Sequence, residues 1–213
     1  MPRTFTPAQR SQIMAWEVGK RWRSWPAARI FPPSVRYTLT PMAFGSSNGL
    51  PLTAHRVGIA RQARCGAAAT AAVARVLAQH RCVAILRATY DDQTRTLAVT
   101  VGVAVLPGED AAQDSARSLP AGSQHATVKA MPFRHTVVAR FAARRRQLSW
   151  HKAAGPYLVL ASVGFADGRP WLAKGDSYTQ AEMQSLASGV GLRVATVLAA
   201  APPQPRCPGS PGC

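Results

Sequence analysis

Acidic residues are scarce in this chain. Nine Asp and Glu stand among 213 residues against 26 Lys and Arg, for a net charge of +17. Through Tyr90 the only acid is Glu17, so that half carries +12 and is a poor partner for anything basic. So few carboxylates leave little for acid–base catalysis, and none lies near a His in sequence. Long apolar runs are also missing: none reaches the roughly 18–20 residues of a membrane-spanning helix. Positions 1–10 are polar and no apolar segment follows, so no signal peptide is visible and a literal reading places the protein in the cytoplasm. Internal repeats are absent, and nothing in the sequence fixes an oligomeric state.

Catalytic signatures are missing too. The five His are scattered, and none falls in His-Glu-x-x-His. His55, beside Arg56 on an expected strand, reads as a packing or capping residue. Ser162 lacks the Gly-x-Ser-x-Gly of a nucleophile elbow. Gly189-Val190-Gly191 does not extend to Gly-x-Gly-x-x-Gly and reads as a helix-packing feature. Asp91-Asp92 suits a hairpin turn. No catalytic, cofactor-binding or metal-binding residue is therefore assigned, and no cofactor is expected.

What is present is enough for a folded domain. Hydrophobic residues make up 47% of the chain, which suffices to bury a core. Of the 26 bases, 22 are Arg, and abundant Arg, Ala, Gly and Pro are what a GC-rich genome produces. Much of the charge is thus compositional. It still attracts nucleic acid, anionic lipid or an acidic polymer.

Local pattern supplies the elements. Thr6-Pro7 predicts a helix start, with Thr as cap and Pro in the first turn, and a short helix to about Val18. In 20–26, Lys20-Arg21-Trp22-Arg23-Ser24-Trp25-Pro26, aromatics alternate with bases. Such a segment can lie on a membrane or stack on bases, but packing of both Trp onto the domain is favoured. Strands are expected at 34–40 and 53–60, the latter with Thr53, His55, Val57 and Ile59 on one face, around a Gly/Ser/Asn loop at 44–51. An Ala-rich helix follows at 67–80 with a stripe of Val73, Val76, Leu77 and His80. Strands at 83–90 and 96–106 form a central hairpin. In the second, Leu97, Val99, Val101, Val103 and Val105 share one face. The small Ala98, Thr100, Gly102 and Ala104 share the other and admit a close-packed helix.

Beyond Pro107-Gly108 come a short helix at 109–118, acidic in its first turn, and a strand at 125–131. A basic helix is expected at 141–152, then a strand at 157–165. Asp167-Gly168 predicts a hairpin turn with a return strand at 171–174. The last helix, from 179 to about 200, carries Met183, Leu186, Val190, Val194 and Val197. The order predicts an α+β fold with a ferredoxin-like β-α-β-β-α-β core, an additional hairpin and a C-terminal helix. Residues 1–33 form an N-terminal helix and Trp/Arg-rich lead-in, 34–200 a single domain, and 201–213 a Pro-rich tail expected to be disordered.

The densest basic patch is Arg140, Arg144, Arg145, Arg146 and Lys152, with Trp150 and His151 among them. It is a candidate grip for phosphate or a membrane headgroup, or simply a solvated helix face. Four Cys occur: Cys65, Cys82, Cys207 and Cys213. A helix over the whole 65–82 interval holds its ends about 22 Å apart, beyond the ~7 Å that a disulfide tolerates. A helix starting near Thr70 lets the lead-in fold back within reach of Cys82. The alternative is two small buried thiols. Cys65, His80 and Cys82 match no standard zinc spacing and lack a fourth ligand. Cys207 and Cys213, in Cys-Pro-Gly-Ser-Pro-Gly-Cys, close a small ring or stay free.

Several strings resemble a group of uncharacterised actinobacterial proteins that are secreted or held outside the cell by an N-terminal membrane helix. They are Trp22-Arg23-Ser24-Trp25-Pro26 with Ile30-Phe31-Pro32, Leu52-Thr53-Ala54-His55-Arg56-Val57-Gly58-Ile59-Ala60, 82–90, Val101-Gly102-Val103-Ala104-Val105, and Ala154-Gly155-Pro156-Tyr157 with Ala166-Asp167-Gly168-Arg169. The resemblance covers roughly 20–200. These are family markers and carry no reaction with them. The resemblance implies an extracytoplasmic or cell-surface domain. Nothing before Trp16 can serve as the membrane helix, so either the true start lies upstream or this is a soluble variant. The resembling proteins carry cysteines at both places, which supports a Cys65–Cys82 disulfide worth roughly 3 kcal/mol.

The expectation is a non-enzymatic extracytoplasmic binding or structural domain, recognising another protein, a cell-envelope component or an anionic surface. The alternatives are a basic nucleic-acid-binding protein using Trp22–Trp25 and Arg144–Arg146, and an enzyme of unrecognised class with a pocket lined by His55, Arg87 and Asp167.

Overall fold

The computed structural model describes residues 5–39, 49–120, 127–170, 172–173 and 175–203. Most of the loop expected at 44–51, part of the strand expected at 125–131, Cys207, Cys213 and most of the Pro-rich tail lie outside them.

Helix α1 spans Pro7–Ser24. The Thr6 hydroxyl accepts from the Gln9 N–H at 3.2 Å, and the Gln9 side chain accepts from the Thr6 N–H at 2.9 Å, a reciprocal cap. The helix runs past its expected end at Val18 and stops before Trp25, whose extended backbone suits the residue ahead of a proline. A single turn, α2 (Ala27–Ile30), follows. Trp22 and Trp25 pack against the core as expected. Arg21 donates to the Leu198 carbonyl at 2.5 Å and Tyr157 to the Val18 carbonyl at 2.6 Å, so α1 is pinned to the body of the protein.

Among the described residues six strands form one antiparallel sheet: β1 (Ser34–Leu39), β2 (Leu50–Ala63), β3 (Ala84–Asp92), β4 (Leu97–Val105), β5 (Arg146–Ala154) and β6 (Tyr157–Phe165). Their order is β1-β2-β3-β4-β6-β5. The α+β class stands, but the ferredoxin-like order is not confirmed. That order interleaves strands through crossovers, whereas here β1 to β4 pair with their sequence neighbours and only β6 is inserted beside β4. In β2 the expected single face of Thr53, His55, Val57 and Ile59 is broken. A bulge between Arg56 and Gly58 shifts the register, so Leu52 and Ala54 join Ile59 on one side while Val57 packs on the other.

The basic helix expected at 141–152 is instead a short 3-10 turn (Ala143–Arg145) running into β5. Leu148 and Trp150 point to the core on alternate positions, a period of two that the flanking arginines disguised. The hairpin expected at Asp167-Gly168 lies one connection earlier, where Gly155-Pro156 joins β5 to β6. No return strand is found at the described positions 172 and 173.

Helix α6 (Ser177–Ala199) touches β1, β4, β5 and β6. Strands β1 and β5 are the two ends of the sheet, about 24 Å apart if it were flat. A helix about 10 Å across meets both only because the sheet curls around it. Contact is close: a Cβ on Gly189 would lie 2.4 Å from the Tyr37 Cβ, and one on Gly191 would lie 2.3 Å from the Trp150 ring. The Gly189-Val190-Gly191 string is thus a packing feature. The buried stripe is Met183, Leu186, Val190 and Val194, continued by Leu198 in place of the expected Val197.

The other sheet face is covered in pieces. The Ala-rich helix is split into α3 (Cys65–Ala68) and α4 (Ala71–Gln79), and Val73 and Leu77 of α4 pack on Ile85, Ala104 and Leu158. Because α4 begins after Thr70, the lead-in turns back. A disulfide joins Cys65 to Cys82 with Cα atoms 6.3 Å apart. Helix α5 (Glu109–Arg117) lies beside α3 and α4 over β5 and β6. The rest of that face is roofed by irregular chain, 127–142. Among the described residues no helix is long and apolar enough to cross a membrane.

Candidate anion-binding site

The irregular roof is held by hydroxyls of the central strands. Thr89 and Thr100 share a hydrogen bond of 2.8 Å; Thr89 donates to the Met131 carbonyl at 2.7 Å, and Thr100 accepts from the Met131 N–H at 2.9 Å. On the small face of β4, Ala104 packs with α4 as expected, while Gly102 and Thr100 admit extended chain instead of a helix: a Cβ on Gly102 would lie 2.7 Å from Val128. Val138 and Phe141 then anchor the roof against Ala98, Ala130 and Ala166. Of the strand expected at 125–131, the described part shows one bridge, Val128 to Ala69.

The chain beyond Phe141 meets the turn that ends β6. Gly168, at φ +73°, lies under Arg140, and a Cβ there would fall 2.4 Å from the Arg140 carbonyl oxygen. Only glycine combines that conformation with that approach. The amide of the buried Gln147 donates to the Pro170 carbonyl at 2.7 Å and to the Arg145 carbonyl at 3.3 Å, clamping the two walls together. Between them opens a cleft of about 610 Å³ lined by Arg140, Arg144, Arg145 and Arg169.

One carboxylate faces this cleft. Asp167 accepts from the Arg169 N–H at 3.0 Å and from its Nε at 3.1 Å. The backbone hydrogen bond, then the Arg169 side chain and the charge of Arg140, hold its carboxyl below the usual range. The Arg169 guanidinium also lies over the Phe165 ring at 4.3 Å. Asp167 is thus committed to Arg169. Arg140, Arg144 and Arg145 have no ion pair among the described residues.

The remaining patch residues separate. Arg146 donates to the Ala143 carbonyl, and burial lowers its pKa, so it braces the turn. Lys152 lies six residues along β5, about 20 Å from Arg146 by strand rise, outside the cleft. His151 is half-buried against α5, and burial pushes its pKa down. His55, Arg87 and Asp167 are not brought to one pocket. Arg87 stands opposite Gly102, roughly 17 Å up β4 from Leu97, the end at which Asp167 leaves β6. Ser162 is fully buried within the sheet. Arg169 was missed as a site residue. Asp167-Gly168 was the available signal, but a glycine turn does not reveal which chain will lie on it.

Around the Trp segment, Arg23 covers Trp22 at 4.5 Å, and Arg29 and Arg21 cover Trp25 at 3.8 and 4.7 Å. Comparisons with protein-family models, with curated proteins and with solved structures found no match.

Proposed function

We propose that this chain is a non-enzymatic binding domain that works outside the cytoplasm and holds an anionic group of a cell-envelope component in the arginine cleft. The observation that carries the reading is the set of three arginines with no ion pair among the described residues, held beside the Asp167–Arg169 pair on a clamped turn. Guanidinium forks suit phosphate and carboxylate oxygens, and a rigid backbone lowers the entropy cost of presenting several at once. The Cys65–Cys82 disulfide supports the compartment, since such bonds persist where the environment oxidises. The resemblance to secreted and surface-held proteins supports it as well. A protein bearing a phosphate or an acidic stretch is the alternative occupant. The nucleic-acid reading has less support, because Trp22 and Trp25, the rings it needs for stacking, pack on the core under their own arginines.

Calorimetry with inorganic phosphate and pyrophosphate tests the site. Arg144→Gln with Arg145→Gln is expected to weaken binding at least ~10-fold at unchanged melting temperature. Equal affinity in the double variant sinks the cleft. Free Cys65 and Cys82 thiols in protein taken from its native cell sink the compartment.

A further inference from the structure

A second pocket lies across the roof from the arginine cleft. Thr136 and Val137 line it, while Ala139 and Arg140 line the cleft on the other side. Its volume is about 630 Å³, and its polar lining is His55, Asp91, Arg95 and His135 with Arg56. The residues come from four separate stretches. His55 and Asp91 are cross-strand partners on β2 and β3, Arg95 is in the β3–β4 turn, and His135 is in the roof.

Asp91 decides what the pocket can hold. Its residue is only 7% exposed, and among the described residues no side chain gives its carboxylate a hydrogen bond or an ion pair. It contrasts with its neighbour Asp92, whose carboxylate is used up by the Thr94 and Leu97 N–H groups at 2.9 and 2.6 Å. Burial raises the pKa of Asp91; a hydrogen bond from its own backbone N–H, then the charges of Arg95 and His55, only partly offset this. A buried carboxylate with no side-chain partner costs stability, so a cation that completes it recovers that cost on binding. The same pocket presents guanidinium charge from Arg95.

Arg95 and His135 both have left-handed backbones, at φ +59° and +60°, a conformation non-glycine residues seldom adopt. Both residues line the pocket, so these backbones set where two of its charged or titratable side chains start.

We propose that this pocket binds a small zwitterion of the α-amino-acid type, with the ligand's ammonium on Asp91 and its carboxylate on Arg95. A simple anion leaves Asp91 unpaired, and a simple cation meets the surrounding positive charge; a molecule with both groups on one carbon satisfies both. This site is independent of the arginine cleft.

The test is calorimetry with the free L-amino acids, followed by the N-acetyl and amide derivatives of the tightest binder. One or more free amino acids are expected to bind, and each derivative, lacking one charge, to bind at least ~10-fold more weakly. Asp91→Asn and Arg95→Gln are each expected to show the same loss. Asp91→Asn keeps shape and removes a desolvated charge, so its melting temperature near neutral pH should rise, which separates lost binding from lost folding. No binding by any free amino acid overturns the proposal, as does an N-acetyl derivative that binds as tightly as its parent, or an Asp91→Asn protein that binds normally.

Discussion

The two faces of the sheet are built on different terms. One is covered by a single 23-residue helix, α6, with α1 and α2 beside it, and its core runs unbroken from Ile30 and Phe31 to Leu198. The other is covered by α3, α4 and α5 at one end and by irregular chain at the other, and its core is split into two clusters. The two clefts described above lie beside the irregular roof. A helix satisfies its own backbone and presents side chains on a fixed period, so it closes a surface. Extended chain must borrow hydrogen bonds from the sheet, as Met131 does from Thr89 and Thr100, and leaves gaps where charged groups can face inward. In this molecule the helical face closes over one continuous core, and the patched face carries the two clefts proposed above as binding sites.

That contrast can be broken experimentally, beginning with the largest effect. Leu186→Ala, at a fully buried site under α6, should cost about 4 kcal/mol in a denaturant titration and leave both pockets' affinities unchanged in the folded fraction. A loss of phosphate or amino-acid binding by the folded variant would show that the two faces are linked. Reduction of the disulfide, or replacement of both Cys65 and Cys82 by Ser, should cost about 3 kcal/mol by the chain-entropy account. Thermal melts with and without reductant measure it. Gly168→Ala should cost about 2 kcal/mol, because its φ of +73° is strained for alanine and the added methyl meets the Arg140 carbonyl. Unlike Leu186→Ala, it should also weaken phosphate binding, since it moves one wall of the cleft.

The smallest effect is that of pH. His151 has a folded pKa below its ordinary 6.5 because of burial, so the unfolded chain takes up that proton first. Its contribution to stability is complete above pH 6.5, falls as the pH drops below that value and levels off below the folded pKa. A melting series in that range should show a shallower slope for His151→Gln than for the parent protein.

The helical face was largely readable from sequence. The period of α6 and the two-residue alternation of large and small side chains in β4 are dictated by burial on known faces, and both are as expected. Even there the faces of β2 were misassigned, because a bulge adds a residue without leaving a mark in the sequence. The patched face was harder. Three consecutive arginines, Arg144-Arg145-Arg146, read as one solvated helix surface. In fact they turn a corner, with two lining a cleft and the third bracing the start of β5. The second pocket draws on His55, Asp91, Arg95 and His135, up to 80 residues apart, so no local spacing announces it. Asp91-Asp92 looked like one turn motif. Only Asp92 serves the turn, and the sheet register places Asp91 beside His55 instead.

The sheet does not close on itself; it ends at β1 and β5. An open edge is where identical chains add to one another and grow into insoluble stacks. Here one edge strand is six residues long and carries Arg36, the part of β2 beyond it carries Arg61, and the other edge strand begins with Arg146, is bent by a bulge before Leu148 and carries Lys152 farther along. Two copies meeting edge to edge would bring like charges together across a distorted register. Basic residues at both edges thus disfavour edge-to-edge growth of identical chains on electrostatic grounds alone, with no ligand involved.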